Sequence, residues 1–297
     1  MKNGGFRRFV IYPMEAGLTL AFLGMFRMLP VDAASTLGAW LGRTIGPHLK
    51  VDRLARRNLK RIFPALDEGE LDRIVTAMWD NLGRTVAEHP HLDAFDPYRP
   101  DSRVEIVNGE EIDRLRDDGK PGLLFAGHLA NWELSPLTVS RRGMTIHLFY
   151  RAPNNPLFDA LVMRGRNVLG GKRLPKGARG AREALALLQA GEHLAMLVDQ
   201  RMNDGISVPF LGVDAMTAPA LAQFALRFDC PVVPVQVERL GGARFRVTFH
   251  PPLVRPATED RQAAIAEMMA EVNRYLGDWI KARPEQWLWV HNRWPAR

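Results

Sequence analysis

The 297-residue chain holds one cysteine, Cys230, which excludes an internal disulfide and any zinc site built on a cysteine cluster. That residue lies in Phe228-Asp229-Cys230-Pro231-Val232-Val233, at the mouth of an apolar run, and reads as a small core side chain. Long apolar runs are scarce as well. Pro13, Glu15 and Arg27 break the segment 9–31, leaving an uninterrupted stretch of eleven residues, 16–26. A spanning helix needs about twenty. No internal repeat, low-complexity tract or long linker divides the chain. No His/Asp/Glu cluster has metal-ligand spacing, so neither a metal nor a redox cofactor is implied. Nucleic acid is a poor fit, because there is no zinc finger, no aromatic ribonucleoprotein motif and no basic region followed by heptads.

What is present is 46% hydrophobic and 25% charged, enough for a substantial core. The length suits one large domain with an N-terminal extension, and we divide it into hydrophobic, membrane-associating helices over 1–46 and a main domain over 47–297. The net charge of +7 favours an acidic partner: an anionic membrane surface, a phosphorylated substrate or an acidic carrier protein. Lys2, Arg7 and Arg8 precede the broken apolar segment, a pattern suited to lying on a membrane surface. Val31-Asp32-Ala33 resembles a signal-peptide cleavage site, but Glu15, Arg27 and a second apolar segment at 33–45 favour anchoring.

The first ninety residues read as helices at about 14–29, 31–46, 51–62 and 68–88. Lys50, Arg53, Arg57, Lys60 and Arg61 share a face of the third, either a solvated surface or a basic strip facing headgroups or an acidic carrier. From residue 103 onward the pattern alternates. Strands are expected at 104–107, 123–126, 146–149, 194–198, 232–237 and 245–249, with helices at 109–118, 131–141, 156–169, 178–190, 218–228 and 260–282. Such alternation predicts an α/β fold with a mixed, largely parallel central sheet flanked by helices.

The densest chemistry is Gly127-His128-Leu129-Ala130-Asn131-Trp132-Glu133, directly after the apolar run Gly122–Ala126. On one continuous helix, a spacing of five turns the chain by about 500° and leaves two side chains roughly 140° apart. His128 and Glu133 therefore meet only if the histidine lies in the loop and the glutamate enters the first helical turn. Asn131 suits the N-cap of that turn, and Ser135-Pro136 is a rival start. Either way the pair falls at the carboxyl end of a strand, where open α/β sheets bind ligands. An imidazole oriented by a carboxylate is a general base for a hydroxyl. Alone, the spacing fits a hydrogen-bonded structural histidine equally well.

Three more clusters follow strand ends. Tyr150-Arg151-Ala152-Pro153-Asn154-Asn155-Pro156 offers a guanidinium and two amides before a helix carrying Arg164 and Arg166; it serves as an anion fork or as a turn with surface arginines. Asp199-Gln200-Arg201 follows the run 194–198, and its aspartate could equally form a turn. Val208-Pro209-Phe210-Leu211-Gly212, with Thr217-Ala218-Pro219 beyond, reads as an apolar loop feeding a helix. Near the C-terminus, Trp287, Trp289 and Trp294 suit a membrane interface or a core equally. His291 is a rival base whose spacing supplies no partner.

Taken in order, these elements resemble the bacterial lipid A acyltransferases, the lauroyl- and myristoyl-type members of the lysophospholipid-acyltransferase-like proteins. The resemblance spans nearly the whole chain: the N-terminal anchor, Gly-His-x4-Glu, Tyr-Arg-x-x-x-Asn-Pro, Asp-Gln, Pro-Phe-x-Gly…Thr-Ala-Pro and Pro-x-x-Trp-x-Trp-x-His-x-Arg-Trp. It implies transfer of a fatty acyl chain from an acyl-carrier-protein thioester to a hydroxyl of a phosphorylated lipid A precursor, at the cytoplasmic face of the inner membrane. His128 matches the family's general base and Glu133 its orienting carboxylate. Arg166 and Asp199 match residues needed for activity. Arg151 and Asn155 match a substrate-contacting loop, and Asn131, Trp132, Gln200 and Arg201 are taken as its neighbours in substrate binding. Asn292 departs from the pattern, standing where a basic residue is usual. The absence of a credible Ser or Cys nucleophile agrees with direct transfer. Rival readings are an acyltransferase for another glycolipid or a lysophospholipid, a thioester hydrolase, and a non-catalytic membrane-binding protein.

Overall fold

The computed structural model of the chain describes residues 11–150, 153 and 155–295, with backbone alone at 162 and 164–167. Four helices lead: α1 (Tyr12–Met28), α2 (Val31–Ile45), α3 (Asp52–Ile62) and α4 (Glu68–Glu88). All four lie within two residues of the sequence expectation. Asp67 starts α4 through a reciprocal capping box with Glu70, satisfying two backbone donors at the helix start. Helices α2 and α4 touch backbone to backbone: a Cβ on Gly83 would stand 2.1 Å from the Gly38 carbonyl oxygen, and one on Gly42 2.1 Å from that of Trp79. Only glycine permits that approach.

Beyond them run β1 (Val104–Val107), α5 (Glu110–Asp117), β2 (Gly122–Ala126), α6 (Leu134–Arg141), β3 (Ile146–Tyr150), α7 (Pro156–Arg166), β4 (Arg173–Pro175), α8 (Ala178–Gln189) and β5 (His193–Leu197). They are followed by β6 (Arg201–Phe210), β7 (Val213–Thr217), α9 (Ala220–Phe228), β8 (Val232–Gly241), β9 (Arg244–Phe249) and α10 (Arg261–Ala282). Seven strands form one sheet in the order β1-β9-β8-β2-β5-β3-β4. Every pairing is parallel except β8 with β9. The expected mixed, largely parallel sheet flanked by helices is what the chain forms. All five residues of β2 are buried, as a strand covered on both faces requires. Leu123 and Phe125 enter one apolar cluster and Leu124 the other, following the two-residue period of the pleat.

One expectation fails here, and one left open is settled. The stretch from Val208 into Thr217 is not a loop: β6 and β7 form an antiparallel hairpin, separate from the main sheet. Its two-residue connection, Leu211-Gly212, has φ of 54° and 80°, the double left-handed turn that matches strand twist. Pro209, which pairs with Asp214, is the residue that hides this strand, since proline normally argues against one. The three tryptophans are core: Trp287 and Trp289 are fully buried and Trp294 nearly so, with Trp294 stacked on Phe210, Trp287 edge-on to it and Trp289 edge-on to Trp287. The basic face of α3 is partly committed to the same segment. Arg57 donates to Asn292 Oδ1 at 2.9 Å, so the departure at Asn292 is an acceptor for a basic neighbour. Among the described residues, no helix is long and apolar enough to cross a membrane. Helix α1 nonetheless exposes Met14, Leu18, Leu20, Met25 and Met28.

Candidate active site

Strands β2 and β5 pair in parallel with a constant offset, Gly122 opposite His193 through Ala126 opposite Leu197. Continued two residues past both ends, that register sets His128 opposite Asp199. The side chains meet there: His128 Nδ1 lies 2.8 Å from Asp199 Oδ1, and the His128 backbone N–H donates to Asp199 Oδ2 at 2.9 Å. The Trp287 indole N–H donates to the same oxygen at 2.8 Å. Asp199 is completely buried. Burial opposes its charge, but the charge of His128, the ring and backbone bonds from that residue and the Trp287 indole outweigh it and hold the carboxyl below the usual range. An ionised Asp199 fixes the proton of a neutral His128 on Nδ1 and leaves Nε2 with its lone pair.

The carboxylate bonded to His128 Nδ1 is that of Asp199, while the local spacing points to Glu133. Glu133 sits at the entry to α6 and lines two cavities together with Trp132. Nor is Asn131 the N-cap. The helix begins at Leu134, and Asn131 is fully buried with its amide nitrogen donating to Glu88 Oε2 at 3.0 Å. Pro136 falls in the first turn of α6, where its missing N–H costs nothing.

On the far side of the ring, Gln200 Nε2 stands 3.3 Å from His128 Nε2 and 3.2 Å from His291 Nε2. One amide group has two protons, so it serves both lone pairs. The His128 and His291 ring centroids are 5.4 Å apart, and Trp132 meets the His128 ring at 5.1 Å. Burial first, then the charge of His128, pushes His291 down to about 4. His291 is thus a neutral neighbour of His128. The C-terminal segment arrives through backbone pairing, with an isolated bridge between Leu129 and Trp287 and the Leu288 N–H on the His128 carbonyl at 3.2 Å. Below it Arg293, buried over the Phe210 ring at 4.8 Å, donates to Thr217 Oγ1 at 2.7 Å. Burial lowers its guanidinium to about 10 against the pull of Asp199, so it stays charged at neutral pH.

Asn155 is buried and works as a cap and a tie. Its Oδ1 accepts from the Leu157 and Phe158 amides, and its Nδ2 donates to the Tyr12 carbonyl and to Glu15. It anchors α7 to α1. Arg201 is exposed at the start of β6. Arg151 and the side chain of Arg166 lie outside the described residues. Between α1, α4 and α7 lies an apolar cavity of about 510 Å³, lined by Leu18, Phe22, Leu23, Val86 and Phe158 together with Trp132 and Glu133. Among the described residues, no group of three His, Cys, Asp or Glu side chains could hold a metal ion.

Trp287 and the alliance of Gln200 with His291 escaped the sequence analysis as site features. The Trp-x-Trp-x-His spacing was their only signal.

A family model described as bacterial lipid A biosynthesis acyltransferase matches residues 5–296. The lipid A biosynthesis lauroyltransferase of Escherichia coli (strain K12) is 26% identical over 289 residues, covering 94% of this chain and 91% of its own. The palmitoleoyltransferase of the same strain is 25% identical over 287 residues, covering 94% and 90%. A lipid A biosynthesis acyltransferase of Haemophilus influenzae is 23% identical over 277 residues, covering 92% and 85%. Among solved structures, the 1-acyl-sn-glycerophosphate acyltransferase PlsC of Thermotoga maritima aligns over 82% of this chain and 95% of its own, with a TM-score of 0.36 and 15% identity.

Proposed function

Because this chain belongs to the bacterial lipid A biosynthesis acyltransferase family and so is an acyltransferase, we propose that it moves a fatty acyl chain from an acyl-carrier-protein thioester to a hydroxyl of a phosphorylated lipid A precursor. The observation that carries the mechanism is the polarised histidine: Nδ1 bonded to a buried carboxylate, Nε2 turned with its lone pair toward the Gln200 amide, which the acceptor hydroxyl displaces in this reading. In this reaction His128 Nε2 takes the proton of the acceptor hydroxyl as its oxygen attacks the thioester carbonyl. Asp199 stabilises the imidazolium that forms. The tetrahedral adduct collapses with cleavage of the C–S bond, and the same proton passes to the departing sulfur. An ester and a free carrier thiol result, with no acyl-enzyme.

The apolar cavity lined in part by Trp132 suits a fatty chain. The net charge of +7 suits two anionic substrates. Mass spectrometry of the products formed from a mixed acyl-carrier-protein pool and lipid A precursor tests the assignment. The expected result is a precursor heavier by one acyl group. Free fatty acid as the main product, with abundant acceptor present, would replace the transferase with a hydrolase; acylation of a lysophospholipid instead would change the acceptor.

The protein works at the cytoplasmic face of the inner membrane in this scheme, seated through the apolar residues that α1 exposes. Leu18 and Met28, 67% and 83% exposed, are the most prominent. Replacing both with glutamate removes two apolar contacts with the bilayer and adds two charges that anionic headgroups repel. Co-flotation with vesicles containing anionic lipid is expected to fall about 10-fold or more. Flotation equal to wild type would remove α1 from the contact.

A further inference from the structure

Behind the histidine loop lies a buried ion pair. Glu88, at the end of α4, is fully buried, and its carboxylate takes four donors. Oε1 accepts from Ser35 at 2.7 Å and Arg239 Nη1 at 2.6 Å, and Oε2 from Asn131 at 3.0 Å and Arg239 Nη2 at 3.1 Å. Arg239 in turn donates through Nε to Asn81 Oδ1 at 2.8 Å and lies close enough to bond Thr85 Oγ1 at 3.1 Å. Asn81 and Thr85 both reach the Ala130 carbonyl, at 3.4 and 2.9 Å, while the Ala130 N–H donates to the Gln286 carbonyl at 2.9 Å.

All of this converges on Ala130 and Asn131, two and three residues after His128. Ala130 has φ of 49°, a left-handed conformation that an alanine does not adopt without compensation. Buried ion pairs contribute little net stability, because desolvation offsets their attraction; their attested use is to fix one geometry among several. Here the geometry fixed is the turn from which His128 faces Asp199.

We propose that Glu88 and Arg239 are positioning residues for His128, acting through Ala130 and Asn131. This rests on His128 being the base. If Glu88 loses its charge, Arg239 loses its counter-ion and Asn131 its acceptor. Asn81 and Thr85 then no longer hold the Ala130 carbonyl, the turn relaxes toward negative φ, and the ring leaves Asp199.

The test uses the full chain carrying Glu88→Gln and, separately, Asn131→Ala, which cuts the link to the loop while leaving the ion pair and the fold intact. Transfer kinetics are measured together with the ¹⁵N NMR signature of the His128 tautomer. Both variants are expected to lose about 10- to 100-fold in kcat at nearly unchanged KM, the scale seen when groups supporting a reactive side chain are removed. The Nδ1-protonated share of His128 falls with it. Adding Ala130→Gly to Glu88→Gln recovers several-fold in kcat, since glycine takes the left-handed turn freely. The proposal is overturned if Asn131→Ala leaves kcat and the tautomer untouched, or raises KM alone, which would make Asn131 a substrate contact. A wild type that transfers no acyl chain would defeat the functional assignment, while the tautomer signal would still judge the network.

Discussion

Replacing Asp199 with asparagine is expected to lower kcat by about 10⁴-fold with little change in KM, the scale of the equivalent substitution in a Ser-His-Asp triad. The amide nearly preserves shape but alters two things. It carries no charge to stabilise the imidazolium, and it can present an N–H to His128 Nδ1, which moves the ring proton to Nε2 where the lone pair is required. The donors that converge on Asp199, the Trp287 indole and the His128 backbone N–H, keep one side chain oxygen in place and turn the amide nitrogen toward the ring. His128→Ala is expected to cost about as much, and the double variant scarcely more than either single one, because groups acting as one unit are not additive. Transfer kinetics on the three variants decide it. An Asp199→Asn enzyme within 10-fold of wild type would show that another group orients the base, with Glu133 next in line.

Lowering the pH from about 7 to about 4 is expected to remove about 3 kcal/mol of stability through His291 alone. The folded protein holds this ring neutral down to about 4, whereas in the unfolded chain it takes a proton near its ordinary value of 6.5. Between those limits the unfolded state binds more protons, so stability rises with pH: it is fully present above 6.5 and lost as the pH falls toward 4. Burial lowers His250 in the same direction. Asp199 acts below this window, its depressed carboxyl giving stability that disappears as the pH drops through the acid range. Urea unfolding across the window should show a steep slope in wild type and a much shallower one in His291→Gln. An unchanged slope in the variant would mean that the ring is already protonated in the folded protein.

The elements of the fold were largely legible in the sequence because the strands of the sheet are short apolar runs between glycines, prolines and polar turns. Gly122–Ala126 is such a run, and the loop after it carried its histidine in plain view. The pairing of that histidine was not legible. Glu133 is five positions away along the chain, Asp199 seventy-one, and only the register of β2 against β5 makes the distant carboxylate the near one. Trp287 and His291 are hidden for the same reason, since a bridge from Leu129 to Trp287 has no local signature. The hairpin β6–β7 was missed on different grounds. Arg201 to Gly205 is polar except at Met202, Pro209 argues against a strand, and Leu211-Gly212 is an uncommon turn pair. Asn131 and Asn155 both tie parts of the fold together, a task the sequence does not show, because an amide that caps or ties looks the same in a sequence as one that holds a ligand.

Residues 284–294 add three contacts around His128 that no strand of the sheet supplies. Trp287 donates to Asp199, Leu288 to the His128 carbonyl, and His291 shares the Gln200 amide. A single cut between α10 and Trp287 would leave every strand pairing of the sheet and the His128–Asp199 bond on one piece of chain, yet free the segment that carries those three contacts. The sheet and the finished setting of the histidine are thus owed to different stretches of sequence.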